Sequence, residues 1–390
     1  MAVPSVPPAR RRARLTALAL LAASLAGCLS GDATKAAPLT MPLPLWSFTR
    51  TGVNPGPSYT EANGAVLVRA FDSVLAINAV AGAQPAGSIR WSRPASAIPL
   101  GGIAFEVASN RVVFAGGQLV VLDMANGATL YTDPLGSTSS LPSTDGTSLF
   151  LARTTPAYRM DAISPVGVSA WSTPIATACP TTCTFAGTAV SGDTVFLAGT
   201  QFGPPAQTLV MAFNRLTGAE LWRSIDGTLD STVTFPPVVI GKQLVLVGTA
   251  GQLVYAMNRA TKAITWQRIE LGNPVVSRVV PGGTRLVIPS QFLVESVSAD
   301  TGSTNWSASS SASIVRVAAC PATVAVATGT DLYIVNAATG VITAGRESIS
   351  FAGGSGDLYS SSARLYVSTV NGGTLLGTSV GAALAAYTCP

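Results

Sequence analysis

Histidine is absent from the 390 residues, and charge of either sign is scarce: Lys, Arg, Asp and Glu together make 11% of the chain. The missing imidazole removes Ser–His and Cys–His nucleophilic chemistry. Without it, and without clustered cysteines, no spacing of metal ligands can be assembled, so no metal is expected. Lysine occurs only at positions 35, 242 and 262. Periodic helical stretches are lacking as well. Of the 23 basic residues, Arg10, Arg11, Arg12 and Arg14 lie in a segment that reads as a removable leader; the remaining 19 face 18 acidic ones. That near-neutral balance argues against nucleic acid as a partner and gives no polybasic reason to bind a membrane surface.

Residues 1–27 read as an export signal. The arginines precede an apolar core, Leu15 to Leu25, that is too short to span a bilayer. The core ends in Leu25-Ala26-Gly27-Cys28, which resembles the bacterial lipoprotein signal. The resemblance implies that the Cys28 thiol takes a diacylglyceryl group and that palmitate-like acyl chains anchor the new N-terminus. Residues 28–42 read as a polar tether. Leu29, in the place where Asp would retain a lipoprotein at the inner membrane, resembles a signal for the outer membrane.

Beyond the tether, one pattern recurs. From Gln243 to Trp266 the chain runs through an apolar segment, a Gly-containing turn, a second apolar segment, a polar turn and a tryptophan, which reads as strand, hairpin, strand, turn, strand. The pattern returns at Thr194 to Trp222, at Arg285 to Trp306 and at Thr323 to Gly340. All six tryptophans, Trp46, Trp91, Trp171, Trp222, Trp266 and Trp306, occupy this one place, and Tyr131 fills it where the spacing doubles. The 345 residues from Trp46 to Pro390 divide into eight units of about 43, the length of a four-stranded blade. The expected fold over 43–390 is therefore all-β: an eight-bladed propeller of four-stranded antiparallel blades, closed by an N-terminal strand around Trp46. The turn residues Asn78, Asp123, Asp161, Asn214, Asn258 and Asn336 read as architectural, because Asx side chains bond their own backbone.

The segment Ala212-Phe-Asn-Arg-Leu-Thr-Gly-Ala-Glu-Leu-Trp222 is similar to the repeat of pyrroloquinoline-quinone-type β-propellers. The resemblance implies that each tryptophan docks on the neighbouring blade. Quinoprotein dehydrogenases of that fold hold their cofactor against a disulfide of adjacent cysteines, and no two cysteines are adjacent in this chain, so no cofactor is expected. Excluding Cys28, four cysteines remain, an even set in an exported chain. Cys179 and Cys183 can close a small loop. Cys320 and Cys389 end strands that face the same side of adjacent blades, which makes their bond geometrically reasonable.

For a lipoprotein of this length, the family resemblance implies a non-catalytic, monomeric scaffold at the cell envelope. Its partner would be a protein, in the first place the outer-membrane barrel-assembly machinery. The alternative is a surface or periplasmic binding module for a glycan or peptide, toward which the Ser/Thr-rich segments Ser303 to Ser313 and Ser360 to Ser362 lean.

Overall fold

The computed structural model describes residues 44–49 and, with breaks in loops, residues 61–389. The leader, Cys28 and the tether lie outside the described residues, as do 50–60, 95–102, 134–139, 227–231, 271–279 and 349–356.

The blade design is clearest in residues 238–269. Val238–Ile240, Gln243–Gly248, Leu253–Asn258 and Ile264–Ile269 pair in that order, each antiparallel to the last. The second strand is buried at every position and the third nearly so, while the outermost alternates. Gln-Leu-Val-Leu-Val-Gly can be continuously apolar because both faces of its sheet are covered by neighbouring blades. The outer strand keeps one edge in water, so only its Trp266 position turns fully inward.

The expectation of an eight-bladed propeller is corrected by the strand order to seven blades, although the N-terminal strand around Trp46 does pair with the C-terminal one as expected. Seven sheets, spanning 61–94, 103–132, 143–174, 183–226, 238–269, 280–309 and 314–348, are blades of four consecutive strands. The remaining four-stranded sheet is composite rather than a repeat of the same unit. It joins Asp357–Ser360, Arg364–Thr369 and Ala383–Thr388 to the N-terminal Trp46–Thr49, and a separate hairpin of Thr374–Leu375 and Thr378–Ser379 interrupts it. Dividing chain length by the mean period counts the two chain ends as one more repeat, although they carry no Asx-Thr-Gly turn. Nor are the seven blades uniformly four full strands. Their innermost strands shrink to two residues at Glu61–Ala62 and Ser143–Thr144, and to three at Val238–Ile240 and Val280–Gly282. In the fourth blade, by contrast, the innermost strand Cys183–Ser191 has nine residues.

Each hydrophobic cluster is shared by two consecutive blades. Phe114 and Met124 of the second blade pack with Leu67 and Trp91 of the first. Leu151 and Ile163 of the third pack with Val121 of the second, and Tyr255 of the fifth with Phe196 and Val210 of the fourth. Phe48, from the composite sheet, rests on Val66, Leu75 and Ile77 of the first blade. Burial at these joints, rather than one central core, is what lets a chain of this length stay folded.

Candidate functional site

The joints hold most of the chain's polar chemistry. In each of six blades the outer strand slips register by one residue beside the aromatic position, a β-bulge next to the pairs Ala76–Trp91, Val121–Tyr131, Ala162–Trp171, Ala212–Trp222, Ala256–Trp266 and Ser296–Trp306. A bulge re-aims the side chain beside it, and here it turns the ring into the gap toward the next blade. Trp91, Trp171, Trp266 and Trp306 then donate their indole N–H to the carbonyls of Met124, Arg215, Ala299 and Ala337, at 2.8–2.9 Å. Under those four rings lie Gly127, Gly218, Gly302 and Gly340, all at positive φ, where an added Cβ would fall 2.5–2.9 Å from the ring or its Cβ. Only glycine supplies that backbone with no atom in the way. Trp46's pairing with Ala386 is in the composite sheet.

Two residues beyond the ring, the outer strand reaches across the gap again. Arg93 donates to Thr129 Oγ1 at 2.9 Å, Thr173 Oγ1 to the Gly218 carbonyl at 2.7 Å, and Arg268 to Glu295 Oε2 at 2.6 Å. Asp133 fills the same position in the second blade and pairs with Arg153 of the third. Arg153 is 2% exposed and Asp133 1%, and Arg153 Nε also bonds Asp161 Oδ2 at 2.6 Å. Asp161 takes further bonds from Arg159 and from the Ser172 hydroxyl. Burial, and then the Asp133 carboxylate, push the nearby Tyr131 phenol above its ordinary value.

Asp161 is thus not a turn residue, contrary to the sequence reading. It lies within the strand Arg159–Ile163 and serves an ion-pair network; the turn that follows is organised by Ser164, whose hydroxyl accepts the Val168 N–H at 3.0 Å. Asn214, Asn258 and Asn336 do act as turn residues, each accepting two backbone N–H groups of its own turn. Asp123 accepts the Ala125 N–H.

Another tie joins the third and fourth blades, where Asp145 pairs with Arg215. Burial works to raise the Asp145 pKa. The backbone N–H groups of Thr147 and Ser148 and the Arg215 guanidinium outweigh it, lowering the value from 3.8 to about 2. A depressed carboxylate stabilises the fold above its unfolded value and loses that contribution as pH falls through the folded one. Melting temperatures of the parent and Asp145→Asn should therefore differ near neutral pH and converge as the pH approaches about 2. A gap undiminished in acid would contradict the assignment.

The disulfides lie at joints too. Cys179 and Cys183, their Cα atoms 5.8 Å apart, pack with Ile175 and Phe185 between the third and fourth blades. Cys320 of the seventh blade is bonded to Cys389 in the composite sheet. Beside Cys320 a cavity of about 350 Å³ opens between the sixth and seventh blades, bordered by Arg285, Val287, Ser296 and Asn336. Arg285 spans its edge to the Ala337 carbonyl at 2.9 Å. Neither disulfide joins neighbouring residues, and among the described residues no three His, Cys, Asp or Glu side chains converge as a metal site. The vicinal-cysteine clamp of a quinone enzyme thus has no counterpart, and the residues present do not fit that cofactor.

The joint between the fourth and fifth blades breaks the pattern. Lys262 takes the glycine's place, at φ 65°, with its Nζ 5.8 Å from the centre of the Trp222 ring. Trp222 packs on Phe196, but among the described residues its indole N–H has no carbonyl partner.

The bulged outer strands, docked aromatic rings and glycine turns define a class, the β-propeller, and its repeat is similar to the pyrroloquinoline-quinone type. Within that class the chain is BamB-like, for residues 206–385 match the family described as the outer membrane protein assembly factor BamB. BamB from Moraxella catarrhalis superposes with a TM-score of 0.60 at 14% identity, over 88% of this chain and 97% of that one. The quinohemoprotein alcohol dehydrogenase from Comamonas testosteroni gives 0.60 at 12%, over 89% and 76%. The computationally designed protein Ika8 gives 0.60 at 11%, over 87% and 98%. No curated protein matches the sequence. These neighbours span an assembly factor and an enzyme, so the likeness fixes the fold and leaves chemistry to the residues.

Proposed function

We propose that this protein is a non-catalytic scaffold of the bacterial cell envelope, anchored through lipid on Cys28 and presenting its blade-connecting loops to a protein partner. The match of residues 206–385 to an outer membrane assembly factor carries the reading. The partner it implies is the barrel-assembly machinery of the outer membrane. Residue chemistry points the same way. The chain has no histidine, its buried carboxylates at Asp133, Asp161 and Glu295 are engaged by Arg153 and Arg268, and its Cys320–Cys389 disulfide ties the composite sheet to the seventh blade. Residues 1–27 serve as the export signal and 28–42 as the tether that holds the propeller off the membrane.

Two measurements test this. Cys28→Ser should move the protein from the membrane fraction to the soluble one, and unchanged membrane association would refute the anchor. Affinity purification of the lipidated protein should bring down a barrel-assembly protein. Its absence, with retention on glycans instead, would transfer the protein to the binding-module class.

A further inference from the structure

Two of the chain's three lysines meet at one place, the base of the fifth blade. Lys242 lies in the hairpin before the second strand and Lys262 in the turn before the fourth. Arg259 joins them, its backbone N–H donating to the Lys242 carbonyl at 3.0 Å. None of the three has a carboxylate partner among the described residues. Arg259 instead reaches the Gly241 carbonyl and stacks 5.7 Å over Phe196, and Lys262 lies over Trp222. The nearest arginines of the fourth and fifth blades, Arg215, Arg223 and Arg268, are by contrast ion-paired.

Lys262 also occupies a backbone that disfavours it. Four sister turns place glycine at this point, and a long side chain at φ 65° sits on a backbone that L-residues rarely adopt. The tryptophan–carbonyl bond found at four other joints has no counterpart at Trp222 among the described residues; a lysine over the ring stands there instead. Departures from a local rule concentrate at functional sites.

We infer that the base of the fifth blade, Lys242, Arg259 and Lys262 around Trp222, is a docking surface for a short acidic segment of a partner protein. The cations and the indole N–H suit carboxylates, and the half-buried ring of Trp222 suits an apolar residue between them. A membrane surface is a poorer fit. Anionic bilayers are held by clusters of about four to eight basic residues. Here there are three cations. The inference rests on the scaffold reading and locates its contact.

The test uses the full chain and three probes: a fluorescein-labelled peptide of alternating glutamate and leucine, its lysine–leucine counterpart, and phosphatidylglycerol vesicles. The acidic peptide should bind, quench Trp222 fluorescence and weaken with salt. Lys242→Glu/Lys262→Glu should weaken it about tenfold or more, as loss of charge complementarity does. Lys262→Gly guards against misfolding as an explanation, because it restores the sister-turn residue. It should melt at or above the parent's temperature and still bind less. Equal affinity for both peptides, unchanged affinity in the variants, no binding at low salt, or vesicle binding lost by the same variants would each overturn the assignment. If a partner co-purifies equally with parent and double variant, the scaffold reading stands and this surface is not its contact. If the parent captures none while the peptide result holds, the scaffold reading fails alone.

Discussion

Removing the buried guanidinium at the second joint is expected to be among the costliest single changes in the protein. Arg153 and Asp133 are sealed from water, and Asp161 shares the same guanidinium. Breaking a buried pair costs about 3–5 kcal/mol, because the partner left behind stays charged and desolvated. Asp133→Ala should lower the urea midpoint accordingly, whereas Arg159→Gln, at the half-buried edge of the network, should cost much less. Arg153→Leu carries a sharper signature. It takes the guanidinium from Asp133, while Asp161 keeps Arg159 and Ser172, and a carboxylate left charged in a dry gap has its folded pKa raised above the unfolded value. Such a group destabilises while charged, so stability is recovered as pH falls through the raised pKa. The variant should be more stable in mild acid than at pH 8. An acid response equal to the parent's would show that water reaches the gap.

A comparable loss is expected for Trp266→Ala. The ring is 8% exposed, packs against Leu286, Ile288 and Val297 of the next blade, and donates to the Ala299 carbonyl. Large-to-small changes at such sites cost about 3–5 kcal/mol, since a gap between two stiff sheets cannot collapse. Gly302→Val attacks the same joint from the other side, placing a Cβ 2.6 Å from Trp266 Cδ2 on a backbone at φ 68°. Trp222→Ala should cost clearly less, because that ring is half-buried and its N–H has no carbonyl partner among the described residues. Chemical denaturation of the three variants orders them. A Trp222→Ala as damaging as Trp266→Ala would mean that Lys262 leaves the fourth joint as tight as the rest.

Much of the blade pattern was legible because it is local. A tryptophan, a turn of fixed length and two apolar runs recur within about 43 residues, and an alternating outer strand cannot be confused with a buried one. The pairing of the two chain ends was legible from the lone Trp46 strand, but the number of blades was not, since a mean period counts those paired ends as one more repeat. Asp161 was misread for a related reason. It stands near a turn in sequence, but its partner Arg153 sits on the adjacent strand, and the second carboxylate, Asp133, comes from another blade. Lys262 carried a signal that went unused: every feature of its turn matches the sisters at Gly218, Gly302 and Gly340 except the one position that needs positive φ.

The composite sheet has a consequence in time. Trp46 lies opposite Ala386, so that sheet cannot exist until nearly the last residue has emerged. The other blades each need only a few tens of consecutive residues and can form in turn as the chain is delivered, the first part of a chain folding first. Throughout that delivery the N-terminal strand must wait with both edges unpaired, a state open to pairing with other chains. Only when Ala383–Thr388 arrives does it find its place, and the bond from Cys389 back to Cys320 can then lock the finished sheet to the seventh blade. Completion of this sheet is therefore a single late event, and a truncation that removes Ala383–Thr388 takes away the strand with which Trp46–Thr49 pairs.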